Sequence, residues 1–394
     1  MANARRGEGR PDATSDHHRG VLIILLAVCA ALPLGWMVKL TLAPERLYSD
    51  FFGLWSAGRY VMRHAPATVY GGSLQNFQHR LGLPLGKAYP FAYPPWILLL
   101  LAPLGLLPYV CAQFVWLALT FSAYVVAVAP WRWPRLLIAL LVLAPSSAIC
   151  VLGGQNGFLT AALLIGGLRL LTRRPLWAGA LLAAVAYKPQ FAILLPFLLL
   201  AGRRGRALIG AGLSLIVLSA ASLCLFGPSV WIAWLSSLRA NAGAMVAGRG
   251  ALLDLMPTPA AAAHLMGANA GVALAVQAAG LLIGGLTIWR IRASEEADRL
   301  VLAPLAILLA APYAFDYDLP MVTAGVLTAI AVRISADPPF RGVELPVLIA
   351  CLLSPIVLVS RVGVFAAVVP LVFVATLGVL WRGGAITPAQ EQGR

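Results

Sequence analysis

Charge is scarce in this chain, and acid scarcer still. Only 11% of the 394 residues are charged, aspartate and glutamate together number 14, and lysine occurs at three positions, Lys39, Lys87 and Lys188. Such a surface does not suit a body of this size dissolved in water. The signatures of common soluble chemistries are missing as well. There is no HExxH, GxSxG or phosphate-binding P-loop, and no GxGxxG between a strand and a helix, so protease, hydrolase, ATPase and dinucleotide readings lose their usual support. The five cysteines, Cys29, Cys111, Cys150, Cys224 and Cys351, are scattered through apolar runs without CxxC or metal-ligand spacing. They read as small core residues.

What the chain has in quantity is apolar side chains: 61% are hydrophobic and the mean hydropathy is +0.87. At about 20 residues per crossing, that content makes roughly 12 spans and leaves about 150 residues for everything else. No soluble catalytic domain fits in the remainder. The net charge of +15 falls in short clusters between apolar runs, as orientation signals do, so no nucleic-acid partner is expected. The basic first twenty residues precede a run from Val21 to about Leu42 that is too long for a signal-peptide core, which makes it an uncleaved first span.

Apolar runs fall near 21–42, 94–107, 110–129, 136–152, 157–171, 176–201, 207–226, 270–289, 300–315, 318–332, 343–360 and 363–381. The run at 94–107 is short and proline-rich, which suits a re-entrant or interfacial helix. The run at 176–201 is long and is interrupted by Tyr187-Lys188-Pro189-Gln190, where proline breaks helix and lysine is costly in hydrocarbon. The basic clusters at Arg132/Arg135, Arg173/Arg174, Arg203/Arg204/Arg206, Arg290/Arg292, Arg333/Arg341 and Arg382 share the N-terminal, cytoplasmic side only on two conditions. The first short run must not cross, and the long one must be a hairpin of two short helices. The expectation is an all-α integral membrane bundle of about 12 crossings, with Arg361 alone on the wrong side. One domain at 21–382 lies between cytoplasmic tails at 1–20 and 383–394. Outer loops at about 43–93 and 227–269 carry surface helices, the first of them over 50–60.

This arrangement puts the polar motifs on the outer face: YSDF at 48–51, YPP at 93–95, GGQNG at 153–157, YKPQ at 187–190 and FDYD at 315–318. A transporter needs polar groups at both faces, so the one-sidedness favours a site opening outward. Most of the carboxylates fall in the tails or inside, leaving Glu45, Asp50, Asp254, Asp316 and Asp318 outside. Asp50 suits a general base acting on an acceptor hydroxyl, and it also suits a helix N-cap. Lys188 requires an anion, which is either Asp316 or Asp318 or the phosphate of a ligand. Gln155 and Asn156 bind substrate or satisfy helix ends, and Tyr93 stiffens a turn or contacts substrate. Arg59 grips a headgroup or faces water. Asp316 and Asp318 form a DxD-like metal pair, shape the acceptor pocket, or pair with Lys188 or an outer arginine. Together these residues suit group transfer from a lipid-linked phosphate donor.

Four ordered stretches carry a resemblance: YSDFFGLWSAGRYV, VYGGS with FAYPPWILLLLAPLGLLP, GGQNGFLTAALLIGGLRLLTRRPLWAGALLAAVAYKPQFAILLPFLLLAGRRGRA, and APYAFDYDLP. From about 45 to 320 the chain resembles glycosyltransferase family 87, which includes polyprenol-phosphate-mannose-dependent mannosyltransferases. The resemblance implies the C-type (GT-C) glycosyltransferase fold, an isoprenyl-phosphate sugar donor, a glycolipid or glycan acceptor, and inverting transfer without metal or other cofactor. It implies Asp50 as catalytic base and Lys188 as a donor-phosphate contact, at the periplasmic face of a bacterial cytoplasmic membrane. YAFDYD at 313–318 replaces a histidine-containing pattern of the mannosyltransferase members, which leaves sugar and acceptor open. The competing expectations are a lipid or oligosaccharide translocase and a lipid-linked polysaccharide ligase or polymerase.

Overall fold

The structure, a computed structural model, describes residues 20–31, 49–129, 133–247, 252–336 and 339–382. Residues 1–19 and 383–394 of the tails, residues 32–42 of the first apolar run, and Lys39, Glu45, Tyr48, Arg132, Arg249 and Asp337 lie outside the described residues. Among the described residues every regular element is a helix. The chain opens with α1 (Gly20–Ala31), α2 (Phe51–Val61), α3 (Gly72–Arg80) and α4 (Leu98–Gly105). It continues with α5 (Tyr109–Val128), α6 (Arg135–Leu143), α7 (Pro145–Gly153), α8 (Gly157–Leu170), α9 (Pro175–Ala184), α10 (Pro189–Ala192) and α11 (Leu195–Ala201). Next come α12 (Gly205–Phe226), α13 (Pro228–Ala247), α14 (Pro259–Leu265) and α15 (Ala270–Ile291). The last are α16 (Glu296–Ala310), α17 (Pro320–Ile334), α18 (Glu344–Val359), α19 (Gly363–Ala366) and α20 (Val369–Arg382).

Among the described residues, α5, α12, α15 and the run Gly363–Trp381 are each long and apolar enough to cross a bilayer. A fifth is α6 with α7, counted as one span bent by 45° where Pro145 interrupts the helical hydrogen bonds. The described residues are therefore all-helical and of membrane type. A helix apolar on every side must be covered by protein or by lipid. The helices α16 and α17 take the first course, with every residue from Asp298 to Ala310 and from Pro320 to Ile330 buried. The helix α12 takes the second, with Ile209, Leu213, Ile216 and Val217 exposed.

Both anomalous runs return to the end from which they start. Helices α9 and α12 lie side by side and point the same way: Leu176 faces Gly210, and Ser214 Oγ donates to the Ala180 carbonyl at 3.2 Å, the same offset of 34 positions. Residues 185–204 therefore bring the chain back to the level where α9 begins, and Lys188-Pro189 stands at the tip of a hairpin. For 94–107, Tyr93 at its start bonds to Asn156, and Tyr109 just past its end bonds to Ser49. Asp50, beside Ser49, bonds to Gln155, so both ends of the segment stand at one end of the bundle.

The expected surface helix over 50–60 is instead enclosed. Nine of the 11 residues of α2 are buried, under α3, α4 and α5. The cause is a close crossing with α4: a Cβ on Gly58 would collide with the Leu101 carbonyl, and one on Gly105 with the backbone of Arg59.

Candidate active site

The five polar motifs converge at one end of the bundle. GGQNG is the turn between α7 and α8, and its glycines have separate reasons to be there. Gly154 caps α7 in the left-handed region at φ 61°, with Phe51 packed against its Cα; Gly157 starts α8 beneath the Tyr317 carbonyl, where any Cβ would clash. Only this turn lets Gln155 and Asn156 sit between Asp50 on one side and the 311–319 turn on the other.

Asp50 is exposed at the start of α2, and its side chain does not cap the helix. Its carboxylate accepts from Gln155 Nε2 at 2.5 Å, so the amide fixes one oxygen. Asn156 Nδ2 donates to the Tyr93 hydroxyl at 2.8 Å, and Tyr93 stacks on Tyr187 with ring centroids 6.0 Å apart. Tyr187 donates its hydroxyl to the Asn156 carbonyl at 3.0 Å and meets Thr160 Oγ1 at 2.6 Å. The Tyr93 carbonyl is held by the Tyr70 hydroxyl at 2.8 Å. Two acceptors here, Asn156 Oδ1 and Gln190 Oε1, are buried and have no hydrogen-bond donor among the described residues. A buried carbonyl oxygen without a donor is costly, and a sugar or acceptor hydroxyl would satisfy it.

Lys188 is 3% exposed and forms an ion pair with Asp318, which is fully buried. Asp318 Oδ2 also accepts from the Phe315 N–H at 3.1 Å. The rings of Tyr317, Phe191 and Tyr187 lie 4.8, 5.7 and 5.9 Å from the ammonium. Of the two carboxylates that sequence offered Lys188 beside a ligand phosphate, Asp318 is the one it pairs with. Asp316 points elsewhere, accepting from the Tyr317 N–H at 2.9 Å, so the two carboxylates do not face a common ion. Burial pushes Asp316 up to about 7; the negative charges of Asp318 and Asp50 add to the rise, and Arg361 opposes it.

Arg59 is not in this cluster. It lies nine residues along α2 from Asp50, about 13 Å at 1.5 Å per residue. Its guanidinium donates to the Gly105 carbonyl at 3.1 Å and covers the Trp55 ring at 5.3 Å. Its work is to bind α2 to α4. Sequence reasoning gave no role to the Tyr187 hydroxyl, which joins the hairpin tip to the 153–157 turn, and it offered Asp316 an outer arginine without naming Arg361, whose positive charge opposes the rise at Asp316. The sign of the second was its isolation from the other inter-span arginines.

An apolar body whose described residues form only helices, and at one end of which a carboxylate is exposed beside oriented amides and buried charge, defines a membrane-type protein with a candidate catalytic site. Over residues 91–314 the chain matches the family model described as glycosyltransferase family 87, and it belongs to that family. No curated protein and no solved structure matches the chain. The matched region holds Tyr93, Gln155, Asn156 and Lys188. Asp50, Asp316 and Asp318 lie outside it; Asp50 is tied to it through Gln155 and Asp318 through Lys188, and Asp316 stands two residues past its end. Family membership makes the protein a glycosyltransferase acting on a sugar donor and an acceptor.

Proposed function

We propose that the protein moves one hexose, of mannose type, from an isoprenyl-phosphate sugar to an acceptor hydroxyl of a glycolipid or glycan, with inversion at the anomeric carbon. The observation that carries this reading is the Asp50 carboxylate, exposed where the polar motifs converge and held by Gln155. Asp50 takes the proton of the acceptor hydroxyl as its oxygen bonds to the anomeric carbon. The bond from that carbon to the phosphate oxygen breaks, and isoprenyl phosphate leaves with the electron pair. The proton then passes from Asp50 to water. Asn156 Oδ1 and Gln190 Oε1 accept hydrogen bonds from sugar hydroxyls and orient the ring. Lys188, matched by Asp318, pins the hairpin tip to the 311–319 turn and so shapes the site.

The reading takes the helices as a C-type glycosyltransferase bundle of twelve crossings, in a bacterial cytoplasmic membrane with the polar end outward. It is supported by the two anomalous runs, both of which return to the end they start from, as the distribution of arginines requires. The test is to incubate purified protein with a panel of isoprenyl-phosphate hexoses and an acceptor extract from membranes. Consumption of one donor with release of isoprenyl phosphate is expected. Turnover of a nucleotide sugar, with every isoprenyl-phosphate sugar left intact, would overturn the assignment.

A further inference from the structure

Asn156 and Tyr93 each leave one hydrogen-bonding capacity unused, and the two are complementary. An asparagine at a helix N-cap normally turns its side-chain oxygen onto the first backbone N–H groups. Asn156 holds that position on α8 and does not cap it. Its Nδ2 donates to the Tyr93 hydroxyl at 2.8 Å instead, which leaves Oδ1, the other branch of the amide, buried and without a donor among the described residues. Tyr93 is the reverse case. Its oxygen accepts from Asn156, and its own proton meets no acceptor among the described residues.

Both groups are held from several sides. The Asn156 carbonyl takes the Tyr187 hydroxyl at 3.0 Å and Thr160 Oγ1 at 3.3 Å. The Tyr93 ring lies against Phe91 and Tyr187, with centroids 5.6 and 6.0 Å away, and the Tyr93 carbonyl accepts from Tyr70 at 2.8 Å. Asn156 is 1% exposed and Tyr93 half-buried, so the donor stands nearer the surface of the polar end than the acceptor. A proton to give and an oxygen to receive one, side by side, fit a single atom that does both. Among sugar substituents that atom is a hydroxyl oxygen. Replacing the hydroxyl by hydrogen leaves both protein groups unmatched, and a methyl ether leaves Oδ1 unmatched. An anionic group has no proton to give, and the negative charges of Asp50 and Asp318 both act at Tyr93.

The pair also stands next to the base. Asn156 follows Gln155, whose amide holds the Asp50 carboxylate. With the acceptor hydroxyl at Asp50 and the anomeric carbon bonding to it, the ring beside Asn156 is the one being transferred. From this matched donor and acceptor we infer that Tyr93 and Asn156 bind one ring hydroxyl of the transferred sugar, Tyr93 donating to its oxygen and Asn156 Oδ1 accepting its proton. They thereby select a neutral hexose with a hydroxyl at that position over deoxy, O-methyl and uronic acid sugars. The inference deepens the proposed function: it rests on Asp50 as the centre of transfer and adds the residues that choose the sugar.

The test is steady-state transfer by the full-length protein from the isoprenyl-phosphate hexose it consumes and from each monodeoxy and monodeoxyfluoro analogue of that donor. One ring position is expected to be critical. The deoxy sugar there should fall in kcat/KM by at least about 30-fold, because two positioned polar groups lose their partner. The fluoro sugar at the same position accepts a hydrogen bond weakly and donates none, so it should fall nearly as far. Tyr93→Phe keeps the ring between Phe91 and Tyr187 and should shrink the deoxy penalty at that position by about fivefold, with the penalties at other positions unchanged. Asn156→Leu should erase the difference between hydroxyl and fluorine there. A purely structural role would lower transfer of every sugar alike.

Equal deoxy penalties in wild type and Tyr93→Phe would overturn the inference and leave the donor class standing. So would a fluoro sugar transferred as well as its parent at every position, or a critical hydroxyl found on the acceptor in place of the donor. Consumption of a diphosphate or nucleotide sugar in place of the isoprenyl-phosphate hexose would remove the proposed donor. The same analogues on that carrier then decide the inference, because the pair touches only the sugar.

Discussion

Two buried ion pairs of the same chemistry hold the two ends of this bundle, and they differ in what surrounds them. At one end Arg333 Nη2 meets Glu344 Oε1 at 2.8 Å, while Glu344 Oε2 takes the Arg341 N–H at 3.0 Å. The partners are eleven residues apart, and the pair staples the end of α17 to the start of α18. At the other end Lys188 meets Asp318 across 130 residues, ringed by Tyr187, Phe191 and Tyr317 and adjoining the Asn156 network. Burying two charges is roughly neutral beside a packed apolar alternative, so neither pair is explained by stability alone. The first is a local clamp. The second fixes one loop tip against another at the candidate site.

The largest effect should come from breaking each pair. Lys188→Ala or Arg333→Ala alone leaves a buried carboxylate without its cation and should cost about 3–5 kcal/mol, measured by thermal unfolding in detergent. The double replacements separate the ends. Arg333→Met with Glu344→Leu should recover stability and transfer, whereas Lys188→Met with Asp318→Leu should recover stability and not transfer. Full activity of the second double variant would remove the distinction between the pairs.

A smaller contrast is steric. Gly157→Ala forces a Cβ into the Tyr317 carbonyl and should cost about 1–3 kcal/mol together with most transfer. Gly342→Ala, at φ 50° beside the clamp with open space around it, should cost about 1 kcal/mol of strain and leave transfer alone. A third contrast is in pH. Because Asp316 is pushed from 3.8 up to about 7, the folded protein holds a proton there that the unfolded chain has released. Stability should fall as pH rises from 3.8 to about 7, by up to about 1.4 kcal/mol per pH unit, and stay lower above that window. Asp316→Asn should flatten this slope and raise stability at pH 8. The smallest effect is expected of Arg59→Met, which keeps the packing against Trp55 and loses the bond to the Gly105 carbonyl. It should lower stability by about 1 kcal/mol with the donor KM unchanged.

The polar end was legible in the sequence because hydrocarbon makes every polar side chain conspicuous, so five short motifs stood out between apolar runs. The hairpin at 176–201 was legible for the same reason: lysine and proline in mid-run have few structural uses. What could not be read were choices made by tertiary contact. Sequence offered Asp316 and Asp318 equally to Lys188, and only the way the 316–318 turn lies across Gly157 selects Asp318. The burial of α2 depends on Gly58 and Gly105 meeting α4 backbone to backbone, which removes Arg59 from the site and gives it a packing role. The pairing of Asp50 with Gln155 joins residues 105 positions apart, and nothing local encodes it.

The most direct test of the account is the transfer rate of Asp50→Asn, a change that keeps the shape of the side chain and its exposed position while removing the base. The account predicts a fall of about 10²–10⁴-fold with the unfolding temperature within a degree or two of wild type. Transfer at the wild-type rate from the same donor would contradict it.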